Sequence, residues 1–184
     1  MKAQSFVRHL KTRGDNDIRD ITDEVLNCVA EAGVRTGTAT VFVPGSTAGL
    51  TTIEYEPGVV SDLAQCFDRL VPRDGRFAHE EAWHDGNGHS HVRAALLGPS
   101  LVLPIGEGKA LLGTWQQIVL VDFDNRPRER SYSVTMLGRA KATPGFQQPA
   151  STHRTPRDRD GRSVGEGAHP RQYPRGDDRT EASC

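Results

Sequence analysis

The sequence is poor in cysteine and has no long apolar run, and each shortage excludes a class of protein. Its three cysteines, Cys28, Cys66 and Cys184, form no CxxC pair, and an odd number of widely spaced cysteines argues against a disulfide-stabilised secreted domain. No stretch approaches the ~20 apolar residues of a membrane-spanning helix, and the N-terminal segment lacks the apolar stretch of a signal peptide. We therefore expect a cytoplasmic protein with free thiols and no membrane partner.

Net charge is also nearly absent. Lysine and arginine total 23 against 24 for aspartate and glutamate, which leaves a formal charge of −1. Because domains that bind nucleic acid carry a marked basic excess, no nucleic-acid partner is expected. Apolar residues make up only 35% of the 184 residues, against ~45–50% in typical globular domains. This shortage indicates that part of a chain of one-domain size lies outside the core.

The composition changes near Gly138. From residue 140 to the end, the chain has five prolines, five glycines and 14 charged residues, but only Phe146 and Val164 from the group Leu, Ile, Val, Met and Phe. Such a segment buries too little apolar surface to offset ~1–2 kcal/mol of backbone entropy per residue. We therefore predict one folded domain over residues 1–139 and a disordered polar tail over residues 140–184.

Hydrophobic periodicity within the predicted domain indicates a mixture of helices and strands. The predicted helices cover residues 21–32, 59–70 and 90–97, and the predicted strands cover residues 2–11, 36–43, 50–55, 100–105, 110–113, 115–122 and 131–137. Strands dominate the second half, and helices do not alternate regularly with them. This order favours an α+β fold over a repeated βαβ unit.

Histidines are concentrated in one short segment. Four of the seven, His79, His84, His89 and His91, fall within the 13 residues HEEAWHDGNGHSH. Neutral imidazole is a common metal ligand, and a metal site needs three or four converging donors. The alternative is a polar surface loop whose histidines never converge, and the glycines of this segment leave that alternative open.

A second segment that could bind a ligand follows a predicted strand. Gly45, Ser46 and Thr47 form a small, hydroxyl-rich turn, where backbone N–H groups can approach an anion closely. A tight connection whose hydroxyls satisfy their own backbone is an equally good interpretation. Glu54 and Glu56 follow two residues apart, so on a strand they share one face, which forms either a site wall or the solvated side of a sheet.

A third segment combines an aromatic residue with positive charge. Trp115 precedes an apolar strand and is more typical of a core or an interface than of a ligand-stacking site. Arg126 and Arg128 follow that strand and can bind a phosphate through two parallel hydrogen bonds, although a solvated turn is the simpler interpretation.

Three motifs together resemble the YjbQ-like family, also described as secondary thiamine-phosphate synthase enzymes. They are VFVPGSTAGLTTIEYEP (41–57), DGNGHSHVRAALLGPSLVLP (85–104) and GTWQQIVLVDFDNRPR (113–128), and the resemblance covers roughly residues 2–138 in order. It implies a single compact α+β domain with a large, mostly antiparallel sheet packed with a few helices. It also implies a homotrimer and a metal ion held by histidines near a subunit boundary.

The resemblance assigns two metal ligands, and a departure from the family suggests a third. His79 and His91 match the family histidines that flank the acidic loop, whereas many members have a histidine where this chain has Gly45. We predict that His89 supplies the missing imidazole, so that three histidines bind one divalent metal. Zinc suits such nitrogen ligands, and magnesium is the alternative with a diphosphate substrate.

The implied reaction joins a pyrimidine diphosphate to a thiazole phosphate as a weak or side activity. The thiazole nitrogen attacks the pyrimidine methylene carbon, and pyrophosphate leaves. Arg93 or Arg126 would neutralise the departing charge, the Gly45–Thr47 turn would hold a phosphate, and Glu54 would position the aminopyrimidine or a water. The alternatives are a non-catalytic trimer that binds a small phosphorylated metabolite and a metal-dependent hydrolase.

Overall fold

The structure is a computed structural model that describes residues 1–140, so the predicted tail lies outside the described residues apart from Ala140. Eight strands and four helices occur in this part of the chain. The strands are β1 (Lys2–Thr12), β2 (Asp17–Asp20), β3 (Val34–Phe42), β4 (Ala48–Ile53), β5 (Ser100–Gly106), β6 (Lys109–Ala110), β7 (Gln117–Asp122) and β8 (Arg128–Ala140). The helices are α1 (Thr22–Ala32), α2 (Pro57–Leu70), α3 (Ala78–Trp83) and α4 (Gly88–Leu97).

The strands form two antiparallel sheets. The larger sheet has the order β1-β8-β3-β5-β6, and the smaller one has the order β2-β7-β4. In the larger sheet the first and last strands pair along their whole length, from Lys2 opposite Gly138 to Thr12 opposite Arg128. The predicted α+β class, with extensive antiparallel sheet and a few helices, is confirmed.

Two apolar clusters lie on the two faces of the three-stranded sheet. The first fills the space between the two sheets and includes residues of α1, such as Val25, together with Leu120 of β7 and Val134 of β8. The second lies on the other face, where Val119 of β7 meets Phe67 of α2 and residues of α4. Because β7 is covered on both faces, it is the central strand of the molecule.

The elements with strong local signals follow the sequence predictions. Helix α1 ends at Gly33, which has the left-handed φ of 62° that suits a glycine C-cap. Thr22 does not cap this helix with its side chain; its hydroxyl accepts a hydrogen bond from Ile118 N at 2.8 Å instead. Helix α2 begins with Pro57, and the Glu56 carboxylate accepts hydrogen bonds from the first free backbone amides.

The elements with weak local signals differ from the predictions. Strand β2 and helix α3 were not predicted, and β6 covers only Lys109–Ala110 instead of residues 110–113. The Gly/Ser/Thr turn does join two strands, but β3 belongs to the five-stranded sheet and β4 to the three-stranded sheet. The turn therefore carries the chain from one sheet to the other. None of the helices in residues 1–140 has the length and apolarity needed to cross a bilayer.

Candidate functional site

Several predicted site residues meet at one end of the three-stranded sheet. Here Ala48, the first residue of β4, pairs with Asp122, the last residue of β7, and Asp122 also pairs with Asp17 of β2. The Gly45–Thr47 turn enters β4 at this end, and the turn that contains Arg126 leaves β7 here. We call this region the Asp122 end of the sheet.

Helix α4 begins at the Asp122 end. The Ser90 hydroxyl donates to the carbonyl of Phe123 at 2.5 Å, and Asn125 Nδ2 donates to the carbonyl of Asp85 at 2.7 Å. The C-terminal part of α4 lies farther along β4, since Leu50 N donates to the carbonyl of Gly98. The histidines at the start of α4 are thus placed beside the end of the sheet.

Two of the predicted histidines on α4 lie on opposite flanks of the helix. His89 and His91 are two positions apart, which at 100° per residue separates their side chains by about 160°. His89 shares its flank with Arg93, which contacts Asn16 just before β2. His91 therefore lies on the flank of α4 opposite the one that carries Arg93 and faces Asn16.

His79 and His91 do come together. Their ring centroids are 4.5 Å apart, and the His79 ring also stacks on Trp83 at 6.4 Å. His79 Nε2 lies 3.4 Å from Asp85 Oδ1, but the alignment is too poor for a hydrogen bond, so this buried nitrogen has no hydrogen-bond partner in residues 1–140. The pair therefore contains a buried ring nitrogen whose hydrogen-bonding capacity is unused within residues 1–140.

Glu80 fixes the loop between the two histidines. Its two carboxylate oxygens accept from the amides of Gly86 and Gly88, each at 2.7 Å. These hydrogen bonds lower the pKa of the Glu80 carboxyl below its ordinary value. Helix α3 and the start of α4 are thereby held together, which keeps His79 next to His91.

The described residues do not assemble the predicted three-histidine metal site. No three His, Cys, Asp or Glu side chains within residues 1–140 converge in a way that would hold a metal ion. His79 and His91 supply two imidazoles, with the Asp85 carboxylate nearby, but His89 lies on the other flank of α4. Zinc needs three or four donors, so one chain provides only part of a ligand set.

His89 is an interior residue. Its side chain is buried, and its Nε2 lies 3.3 Å from the Ser90 hydroxyl. Burial lowers the pKa of His89, and the nearby guanidiniums of Arg93 and Arg73 lower it further. The imidazole is thus held in its neutral form inside the helix packing.

A cluster of buried charges supports the Gly45–Thr47 turn. Thr47 is buried; its hydroxyl donates to Asp124 Oδ2 at 2.9 Å and accepts from Arg130 Nη2 at 2.7 Å. Arg130 also donates to both oxygens of Asp122, from Nε and Nη2, at 2.7 Å each. Of the predicted phosphate-binding residues, Gly45 and Ser46 are exposed, whereas the Thr47 hydroxyl is engaged in this network.

Asp124 stays ionised within that cluster. Burial acts to raise the pKa of its carboxyl, but hydrogen bonds from Arg128 and Thr47, with the charges of Arg128 and Arg130, outweigh burial and lower the pKa overall. Arg128 Nε donates to Asp124 Oδ2 at 2.8 Å. Two aspartates and two arginines thus form a charge-balanced group behind the turn.

Arg93 is engaged in the protein interior. Its Nε and Nη2 donate to the carbonyl of Val71, its Nη1 donates to Asn16 Oδ1, and its Nη2 lies 2.9 Å from Asp68 Oδ1. These contacts tie α4 to the end of α2 and to the segment before β2. The structure assigns Arg93 this cross-linking position, and its catalytic role stays a prediction.

The other two predicted catalytic residues lie at different ends of the sheet. Arg126 is exposed in the turn after β7, at the Asp122 end. Glu54 is exposed just beyond Ile53, which pairs with Gln117 at the opposite end. The six residues of β4 span about 20 Å at ~3.4 Å per residue. Trp115 is 71% exposed and therefore does not belong to the core.

Sequence reasoning identified Thr47 but missed its partners in the buried cluster. Thr47 is 77 positions from Asp124 and 83 from Arg130, so no local spacing could have linked them. The local sequence signal is the run of charged residues after the predicted strand, where a solvated turn is the simpler interpretation of Arg126 and Arg128.

The fold places the chain among α+β proteins already known from solved structures. A YbjQ-like protein of unknown function from Sulfolobus solfataricus P2 has a TM-score of 0.68 and 31% identity, covering 75% of this chain and 100% of that one. A YjbQ/UPF0047 family protein from Clostridium acetobutylicum has a TM-score of 0.66 and 38% identity, and the match covers 72% of this chain and 99% of that one.

Sequence comparison leads to the same group. The family model described as UPF0047 protein YjbQ-like matches residues 7–139. The UPF0047 protein MJ1081 of Methanocaldococcus jannaschii is 36% identical over 134 residues, which are 72% of this chain and 94% of that protein. The chain belongs to the YjbQ-like UPF0047 family.

Proposed function

We propose that the chain binds a small phosphorylated metabolite at the Asp122 end of the three-stranded sheet and, as a weak activity, joins a pyrimidine diphosphate to a thiazole phosphate. The observation that carries the proposal is a convergence at this one place. The Gly45–Thr47 turn enters β4 and the Arg126 turn leaves β7 at this end. The hydrogen bonds of Ser90 to Phe123 and of Asn125 to Asp85 bring the start of α4 here, and with it the His79–His91 pair.

Each group has a distinct part in binding. The exposed Gly45 and Ser46 offer backbone N–H groups to a phosphate. Arg126, which has no ion-pair partner in residues 1–140, would neutralise charge on a departing diphosphate. A divalent metal, held by His79 and His91 and completed by ligand oxygens, would supply further charge neutralisation. The buried His79 Nε2, which has no hydrogen-bond partner within residues 1–140, supports this assignment.

Glu54 limits what a single chain can catalyse. It lies at the end of β4 that is remote from the histidine pair, so a part in the same reaction requires that it come from a second copy of the chain. The proposed homotrimer would provide such a copy. Binding of a phosphorylated metabolite needs no Glu54, and the geometry of one chain therefore favours binding over turnover.

The decisive experiment measures ligand binding and turnover on the same preparation of the full chain. Pyrophosphate binding is followed by calorimetry with and without zinc or magnesium, and thiamine phosphate formation is followed by chromatography. We expect His91→Ala to weaken metal-dependent pyrophosphate binding at least about tenfold, since it removes one of two imidazole donors. His9→Ala changes an exposed histidine of β1 and is the matched control.

The possible outcomes separate the alternatives. Turnover that disappears in His91→Ala but persists in His9→Ala supports the transferase. Binding without turnover supports the non-catalytic alternative, in which the chain carries or senses a phosphorylated metabolite. Pyrophosphate binding that is absent, or equal in both variants, would refute the site.

A further inference from the structure

Arg130 uses only part of its guanidinium to hold the buried aspartates. Nε and Nη2 carry all its hydrogen bonds to Asp122, Asp124 and Thr47. Within residues 1–140, Nη1 takes part in no hydrogen bond or ion pair, yet it is not among the fully buried unpartnered atoms. A side chain that is only 11% exposed thus retains two free N–H donors in contact with solvent.

The free nitrogen faces a position without a side chain. A Cβ atom built on Gly45 would lie 3.5 Å from Arg130 Nη1, and no other heavy atom outside its chain neighbours would lie within 4 Å of it. Gly45 has a φ of 125°, a conformation that other residues rarely adopt. Glycine therefore keeps the space next to the guanidinium open.

The turn next to this opening also carries backbone donors without an acceptor. The amides of Gly45, Ser46 and Thr47 donate to no acceptor in the described part of the chain, and Ser46 is exposed. Consecutive free amides beside an arginine are the donor set that phosphate oxygens prefer. Asp122 and Asp124 balance the charge of Arg130 and Arg128, so attraction at this place depends on directed hydrogen bonds and not on an excess of positive charge.

We propose that Arg130 Nη1 and the Gly45–Thr47 amides form a phosphoryl subsite that binds the terminal phosphate of a phosphate monoester or a diphosphate. The inference rests on the proposed function and specifies its ligand class. Arg130 is the residue that recognises the phosphoryl group, while Asp122 and Asp124 position its guanidinium. Because the buried carboxylates already fix the guanidinium, little side-chain freedom is lost on binding.

The test uses inorganic pyrophosphate and orthophosphate as probes on the full chain, with binding measured by calorimetry. In Gly45→Asp, a carboxylate next to Nη1 occupies the subsite and repels the anion, so we expect pyrophosphate affinity to fall at least about tenfold. The matched control is Gly108→Asp, since Gly108 also has a positive φ, 82°, but lies in the turn between β5 and β6.

A second variant addresses Arg130 directly. Arg130→Lys keeps a positive charge next to the aspartates but removes the planar guanidinium and its Nη1 donors. A fall in pyrophosphate affinity is therefore expected here too. Circular dichroism establishes which variants fold. If Arg130→Lys does not fold, Gly45→Asp and its control decide the question.

The two proposals fail in different ways. If His91→Ala weakens pyrophosphate binding while Gly45→Asp binds like the wild type, the Arg130 subsite and the phosphate-binding role of the Gly45–Thr47 turn are refuted, whereas metal-dependent binding at the His79–His91 pair stands. Equal losses in Gly45→Asp and Gly108→Asp also refute the subsite, because backbone strain then explains both. If the wild type binds neither probe, both proposals are refuted.

Discussion

At the scale of single residues, His89 makes the stability of the fold depend on pH. Its folded-state pKa is lowered by burial and by neighbouring arginines, whereas an unfolded histidine has a pKa of ~6.5. Below about pH 6.5 the unfolded chain therefore takes up a proton that the folded chain does not. The free energy of unfolding must fall as the pH decreases from that point.

We predict that His89→Gln flattens this dependence between about pH 7 and pH 5.5. Urea unfolding at several pH values gives the measurement, and the slope against pH, not the absolute stability, is the quantity to compare. His9→Gln, an exposed histidine of β1, should keep the wild-type slope. An unchanged slope in His89→Gln would contradict the prediction.

Two glycines permit a close contact between β3 and β8. A Cβ on Gly37 would lie 2.2 Å from the carbonyl oxygen of Leu137 and 2.6 Å from the Cα of Gly138. Both atoms belong to backbone, which cannot move aside as a side chain can. We predict that Gly37→Ala lowers the free energy of unfolding by about 2–3 kcal/mol, as in overpacked cores.

Chemical denaturation measures this effect. Gly113→Ala is a suitable control, because its Cβ would be no closer than 3.7 Å to any atom outside its chain neighbours. We expect that control to change stability by less than about 0.5 kcal/mol. Similar losses in the two variants would show that loss of glycine, and not the close contact, is responsible.

At the scale of elements, the link between α3 and α4 depends on Glu80. Its carboxylate binds the amides of Gly86 and Gly88, and helix α3 has no fully buried residue of its own. Packing alone therefore contributes little to its position. We predict that Glu80→Ala increases hydrogen exchange of these two amides at least about tenfold, because the closed state of the loop loses the hydrogen bonds that protect them.

Exchange followed by NMR tests this prediction. Glu81→Ala is the matched control, because within residues 1–140 the Glu81 carboxylate pairs only with the exposed side chain of Arg76. Metal-dependent pyrophosphate binding should fall in parallel in Glu80→Ala, since His79 is then no longer held beside His91. Unchanged exchange at Gly86 and Gly88 would show that the loop is held by other contacts.

The success of sequence prediction also varied by element. Helix α1 was predictable because apolar repeats and a terminal glycine, Gly33, lie within one short window. Strand β2 has four residues, and only Ile18 among them is apolar, so no alternation could reveal it. Helix α3 has six residues and no buried side chain, so its sequence resembled a loop.

The candidate site was predictable only where its groups are close in sequence. The pairing of His79 with His91 agrees with their family motif, and the position of His89 follows from helix geometry once α4 is known to begin at Gly88. The cluster of Thr47, Asp124 and Arg130 depends on how β3, β4, β7 and β8 are arranged. That arrangement is a property of the whole fold and leaves no local pattern.

At the scale of the whole molecule, the outer face of the five-stranded sheet bears on assembly. On this face, three rows of residues that lie opposite one another in β1, β8, β3 and β5 contain no charged side chain. The rows are Val7, Ser133, Phe42 and Ser100; Ser5, Thr135, Thr40 and Val102; and Ala3, Leu137, Thr38 and Pro104. Four of these, Val7, Phe42, Val102 and Leu137, are large apolar residues more than 40% exposed. Such a face is typical of an interface between subunits.

The homotrimer stays a prediction, and this face provides its test. We expect the wild type to have the mass of a trimer in light scattering at micromolar concentration. Phe42→Arg or Val102→Arg should shift the mass toward that of a monomer, because a charge would be buried without a partner. Leu96→Arg, on the exposed side of α4, is the control. A monomeric wild type would refute the trimer.

The pairing of β1 with β8 also affects how the chain is made. Lys2 lies opposite Gly138, and β3 also pairs with β8, so the largest sheet cannot close until nearly all of residues 1–140 have been synthesised. Until then a nascent chain exposes the edges of β1 and β3, which are ready templates for pairing with other chains. Slow translation near the end of this segment would prolong that exposure, whereas chaperones that cover strand edges would protect the chain until β8 is added.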